Sequence, residues 1–240
     1  MKKLLYLICV LLISSVSSYG QGESTVLKNN FKVNLTSLAA YNISMQYERS
    51  LTSHTALALG FSVLPLRGLP SFVIPEGDPD DLASLRFSGY SVTPEFRFYL
   101  SGKRSKGFYF APYYRHSSYN CSYYELEYNI QDQVKGVILM SGDYKQSAAG
   151  LMIGSQWNLG KRMSFDWWIL GAAKGSQVVT LRGNGDFSLA QQVDLSDQFS
   201  EFEIPYGELS YTVDQYSAEI VYKTGLPTIR GLGFCLGYRF

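Results

Sequence analysis

Cysteine, histidine and long apolar runs are all scarce in this chain of 240 residues. Of three cysteines, Cys9 lies near the start, leaving Cys121 and Cys235. Two cysteines make no disulfide framework in a chain this long, so two unpaired thiols are expected. Only His54 and His116 are available as imidazoles, which limits both general-base and metal chemistry. After Gly20 there is no run of about 18 or more apolar residues, so no transmembrane helix is expected. Neither sign of charge dominates. The 21 basic residues less Lys2 and Lys3 leave 19 against 20 acids. Nucleic-acid binders carry a basic patch or stripe, and no such partner is expected here. No cofactor is expected either.

The chain starts MKKLLYLICVLLISSVSSYGQ. Lys2 and Lys3 form a charged head, Leu4 to Ile13 an apolar run, and Ser18 and Gly20 frame a cleavage site. That is the pattern of a secretory signal peptide, expected over residues 1–20. The run is too short to span a bilayer as a helix. Residues 21–240 are then expected to form one domain.

Aromatic residues are abundant, with 19 Tyr and 14 Phe, and they recur with period two. In the terminal GLGFCLGYRF, Leu232, Phe234, Leu236, Tyr238 and Phe240 fall on one side. Gly231, Gly233, Cys235, Gly237 and Arg239 fall on the other. Strands send such sets to opposite faces. The same alternation runs through FKVNLTSL, NISMQYERS, TALALGFSVL, SGYSVTPEFRFYL, GFYFAPYYRHS, AGLMIGSQWNL and RMSFDWWILGA. About eight strands result, each with an aromatic face and a face of small and polar residues. Mean hydropathy is only −0.05, but alternating strands average their apolar face away.

Connections alternate in length. Short ones, TSH, SGKRSKG and GK, join strands two to three, four to five and six to seven. Long ones run from Pro65 to Leu85, Ser118 to Ser147 and Gly175 to Arg230. Short turns at one end and long loops at the other mark outer-membrane barrels. The fold expected is all-β: an antiparallel up-and-down transmembrane β-barrel of about eight strands with long extracellular loops. The aromatic face then meets lipid, where every backbone group must be paired and a sheet must close. A soluble lipocalin-type barrel would invert the faces. It would crowd every aromatic into a narrow close-packed interior.

NISMQYERSL, EFRFYLSGKRSKGFYFAPYYR, GLMIGSQWNLGKRMSFDWWILG and the terminal GLGFCLGYRF resemble an uncharacterised domain-of-unknown-function family of small bacterial outer-membrane β-barrels. More distantly they are similar to OmpA/OmpX-like barrels. The resemblance implies the fold and a location in the outer membrane. Leu236, Tyr238 and Phe240 look like the C-terminal signal that the outer-membrane assembly machinery recognises. The resemblance brings no catalytic residues.

Six inward charges form the candidate site: Glu48, Glu95, Arg97, Arg115, Asp166 and Arg239. Confined charges are costly unless paired, so they are expected to form a salt-bridged plug. The function this favours is a non-enzymatic, monomeric outer-membrane protein, structural or surface-interacting. Its partners would be membrane lipid, the assembly machinery and an extracellular partner reached through the loops. A narrow channel for ions or small solutes is the second reading. An outer-membrane lipid-modifying or proteolytic enzyme, built around His116 with Ser117 and Ser118, is the third. It lacks any matching signature. The acidic PEGDPDD loop is read as a solvated turn, since the EF-hand spacing is absent. Within the last loop, Ser188 is expected to open a short helix and ELSYTVDQYSAEIVYK to be strand-like.

Overall fold

The computed structural model describes residues 27–68, 85–130, 134–202, 204 and 206–240, with side chains described outside 123–140. The proposed signal peptide and the PEGDPDD loop lie outside the described residues. Among those described, ten strands and two helices follow one another. They are β1 (Asn29–Asn34), α1 (Leu35–Ala39), β2 (Ile43–Ser50), β3 (Thr55–Gly68), β4 (Arg86–Tyr99) and β5 (Gly107–Ile130). Then come β6 (Val134–Leu159), β7 (Met163–Asn184), α2 (Leu189–Ser200), β8 (Glu208–Val213), β9 (Ser217–Thr224) and β10 (Thr228–Arg239).

β1 to β7 form an antiparallel meander, and β10 closes it by pairing with both β7 and β1. Phe31 faces Tyr238 across one seam, and Leu236 faces Phe165 across the other. Asn29 and Phe240 exchange both backbone hydrogen bonds at 3.0 Å. Closure leaves no edge in the eight-stranded ring.

The alternation read from sequence sets the two faces. Leu57, Leu59, Phe61, Phe110, Leu151 and Phe234 stand exposed on the outside. Lys32, Gln46, Glu48, Thr93, Glu95, Arg97, Gln156 and Asp166 are buried inside. A soluble barrel has the opposite arrangement. The three short turns, 51–54, 100–106 and 160–162, gather at one end with Asn29 and Phe240.

The first strand ends earlier than its alternation suggests. Leu35–Leu38 turn into α1 instead of continuing β1, because the Asn34 side chain accepts the Ser37 N–H at 3.0 Å. An Asn in this position satisfies an otherwise orphaned helix donor. The Thr36 hydroxyl then accepts the Phe234 N–H at 3.0 Å, tying the turn to β10.

The long connections carry their own structure. β5 and β6 run on as a hairpin to the pair Ile130 and Val134. β7 outlasts β10: β10 pairs with it from Met163 to Ala173, and β9 takes over from Gln177 to Asn184. β8 then pairs with β9. Ser188 opens α2 with a reciprocal capping box to Gln191. Phe187, Leu195 and Phe199 pack on Ala218 and Ile220 to give this external cap a small apolar core.

Candidate functional site

The barrel interior is filled at its middle by a charge network. Register places Lys32 opposite Gln46 and Gly237, Glu48 opposite Ala58, and Arg97 opposite Ala56. The alanines leave the space that the long side chains cross. Gly233 does the same, since a Cβ there would come within 2.7 Å of the Trp168 ring.

Lys32 is at the centre. Its ammonium donates to Glu48 Oε2 at 2.5 Å, Gln156 Oε1 at 2.6 Å and Asp166 Oδ2 at 2.7 Å. Those are all three of its donors. Arg97 is equally saturated. Its Nε donates to Glu95 Oε2 at 3.1 Å. Nη1 donates to Glu48 at 3.0 Å and Asp166 at 2.7 Å. Nη2 donates to Gln46 Oε1 at 2.8 Å and Glu95 at 2.9 Å. All five of its N–H donors are therefore used, on four acceptor atoms, with Glu95 Oε2 accepting two of them. The guanidinium also lies 4.4 Å over the Tyr109 ring.

Tyrosines close the remaining carboxylate positions. The Tyr99 hydroxyl donates to Glu48 at 3.0 and 3.1 Å. The Tyr109 hydroxyl donates to Asp166 Oδ1 at 2.8 Å. Arg230 reaches Glu95 Oε1 at 2.6 Å and stacks 4.2 Å from Trp168. Three cations, Lys32, Arg97 and Arg230, thus balance three carboxylates, Glu48, Glu95 and Asp166. Lys32, Glu48, Glu95, Arg97 and Asp166 have fully buried side chains. Burial of this kind is tolerated only with such complete pairing.

Four of the six expected charges, Glu48, Glu95, Arg97 and Asp166, are therefore brought together. Arg115 and Arg239 face inward but join no ion pair among the described residues. Arg115 sits on the loop side of the network, with Nη2 donating to Ser91 Oγ at 3.2 Å. Arg239 sits at the opposite rim, facing Asn30 across the β1 seam. Sequence reading missed Lys32 and Arg230. Lys32 lay on the polar side of the first alternation and was a readable signal. Arg230 was hidden by a slip in the strand: Leu232 adopts a left-handed backbone with φ 54°. Strict alternation back from Phe240 gives the inward face to Gly231, and Arg230 takes it instead.

Leu236, Tyr238 and Phe240 all project outward, with Tyr238 and Phe240 stacked at 6.4 Å. Cys121 is a free thiol on β5 opposite Gly142, and Cys235 is a free thiol buried on the inward face. His54 lies in the β2–β3 turn, bonded to Ser53 at 2.9 Å. His116 lies in β5, with Nδ1 3.0 Å from Ser147 Oγ. The two imidazoles are at opposite ends of the barrel and share no site.

Residues 5–173 match a family described as "Protein of unknown function (DUF3575)". No curated protein and no solved structure matches the chain.

Proposed function

Belonging to the DUF3575 family, whose description assigns no activity, the chain is one for which we propose a non-enzymatic role as an integral outer-membrane β-barrel. In this reading its lumen is closed by side chains and its external cap is a surface for interaction. Three features support the location: the leader pattern of residues 1–20, the apolar and aromatic exterior, and the gathering of short turns at one end. A closed sheet with an apolar outside satisfies the backbone without water.

One observation carries the role: the balanced network of Lys32, Arg97 and Arg230 with Glu48, Glu95 and Asp166, in which every donor of Lys32 and Arg97 is used. An ion path needs exchangeable ligands and water. A saturated network across eight strands offers neither, since that ring size holds little beyond side chains. The exposed part is the cap, where β8 pairs only with β9 among the described residues. A free strand edge is a known route for adding a partner strand.

Cell fractionation with protease treatment of intact cells tests this reading. The full-length band is expected in the outer-membrane fraction, with cleavage by external protease confined to the three long connections and the cap. Recovery in the soluble fraction contradicts it.

A further inference from the structure

The β4–β5 seam holds two prolines where a barrel in lipid has no spare donor to lose. Pro94 pairs with Leu59 in a stretch of the β3–β4 ladder, Thr55 to Leu64, that skips no residue. Pro112 pairs with Leu151 in a stretch of the β5–β6 ladder, Gly107 to Cys121, that skips none either. A strand residue offers its N–H and C=O to the same neighbour. The N–H that each proline lacks would therefore have pointed into the β4–β5 seam. The seam records the loss. Its ladder runs from Val92 and His116 to Glu95 and Tyr113, then to Phe98 and Phe110, in constant register. Thr93, Pro94, Phe96 and Arg97 are skipped. By that register Pro94 faces Tyr114 and Pro112 faces Phe96, so two neighbouring rungs each lose one of their two hydrogen bonds. Proline inside a sheet is otherwise confined to edges and bulges.

Behind the loop-side end of the skipped stretch, at Thr93 and Arg115, lies open space. A cavity of about 250 Å³ is lined by Ser91, Thr93, Arg115, Trp168 and Arg230. A second, of about 220 Å³, is lined by Tyr113, Arg115, Gln146, Thr228 and Arg230. Arg115 and Arg230 line both, so the two form one vestibule on the loop side of the charge network. Thr93 and Arg115, which the register sets opposite each other, form its wall at the weakened seam. The vestibule carries an excess positive charge. The network below is balanced without Arg115, and the Arg115 Nε has no hydrogen-bond partner among the described residues.

We propose that the β4–β5 seam is a lateral gate through which an anionic membrane lipid places its headgroup in the vestibule, against Arg115. The seam favours lipid over a free anion as the source of the charge. A free anion needs only the loop-side mouth, whereas the rungs weakened by Pro94 and Pro112 face the apolar exterior. Arg115 supplies the charge-assisted donors and Ser91 holds its guanidinium in place. Valine at both positions restores two N–H donors without changing the outward apolar character of the seam.

The inference rests on the membrane reading above, so insertion is scored first, by heat-modifiable electrophoretic mobility after refolding into phosphatidylcholine vesicles. Failure of the wild type to insert contradicts the membrane reading. Insertion without lipid capture contradicts the gate alone. Capture is read by native mass spectrometry from zwitterionic micelles containing phosphatidylglycerol, with inorganic phosphate as the free-anion probe. Wild type is expected to retain one phosphatidylglycerol. Arg115→Gln is expected to weaken retention roughly tenfold or more, the worth of a charge-assisted hydrogen bond, and Arg115→Lys to restore part of it. Pro94→Val with Pro112→Val is expected to slow lipid uptake while leaving phosphate binding unchanged and raising the melting temperature. Equal retention by Arg115→Gln overturns the headgroup site. Equal uptake by the valine pair overturns the gate. Inorganic phosphate binding as tightly as phosphatidylglycerol overturns the lipid source.

Discussion

Lys32 of β1 and Asp166 of β7 stand 134 positions apart in the chain, and their Nζ and Oδ2 atoms stand 2.7 Å apart in the lumen. Neither touches its nearest sequence neighbours for charge compensation. The contact exists only when the sheet has closed through β10, so it reports on the complete barrel.

Replacing Lys32 by Met leaves Glu48 and Asp166 with one fewer cation inside a dry network. Breaking a buried pair from one side costs roughly 3–5 kcal/mol. The urea midpoint of the refolded protein is expected to fall accordingly. Pairing Lys32→Met with Glu48→Gln restores the charge balance and is expected to cost less than Lys32→Met alone, a non-additivity typical of contacting groups. Lys103→Ala, in the exposed β4–β5 turn, is expected to stay within about 0.5 kcal/mol of wild type. Arg115→Ala is expected to fall well short of Lys32→Met, because Arg115 joins no ion pair among the described residues.

Gly233→Val is expected to destabilise by roughly 1–3 kcal/mol, the usual range for overpacking. The new Cβ would stand 2.7 Å from the Trp168 ring, which Arg230 covers from another side. Gly60→Ala is the control. Its Cβ would meet the Thr93 carbonyl at 3.5 Å, an ordinary contact, and its midpoint is expected to stay close to wild type. Equal shifts for both would mean that the inward glycines are not spacers for the network.

Deleting Phe240 is expected to lower the amount of protein in the outer-membrane fraction. The residue is exposed, stacks on Tyr238 and bonds through its backbone to Asn29. Charge on a lipid-facing position costs roughly 0–4 kcal/mol depending on depth and least near an interface. Phe240→Asp should therefore act mainly through lost recognition during assembly. Quantitative immunoblotting of membrane fractions checks this; wild-type levels of the deletion would contradict it.

The β8–β9 turn should loosen in acid. Asp214 accepts the backbone N–H groups of Tyr216 at 2.8 Å and Ser217 at 2.7 Å, and the Ser217 hydroxyl at 2.9 Å. Those donors hold its carboxyl below the usual aspartate range. A lowered folded-state value contributes order above the unfolded value of about 3.9 and loses it as pH falls through the folded value. Protection of the Tyr216 and Ser217 amides, taken relative to their intrinsic exchange rates, is expected to fall as pH drops below the unfolded aspartate value. Asp214→Asn should remove that pH dependence.

Much of the barrel was legible because period-two alternation is a strong local signal. It placed Tyr99, Tyr109, Tyr113 and Trp168 inward and Phe96, Phe110 and Trp157 outward, as found. What failed was local too. The Asn34 side chain stopped β1 four residues early, and an apolar pattern cannot show a capping bond. The left-handed Leu232 shifted the alternation of β10 and hid Arg230. Pairing was less legible than facing. Arg97 chooses Glu48, Glu95 and Asp166 because register and strand stagger set them at one height, and no single strand contains that information. Arg115 and Arg239 have the right parity but join no ion pair among the described residues.

The central claim is that these side chains close the lumen, and conductance of the refolded wild type in planar bilayers tests it most directly. Eight strands enclose little more than side chains, and here those side chains are joined by a network in which Lys32 and Arg97 have no donor left for water or ions. The account predicts insertion without stable porin-sized steps. Stable, porin-sized conductance steps from the correctly folded wild type would contradict it.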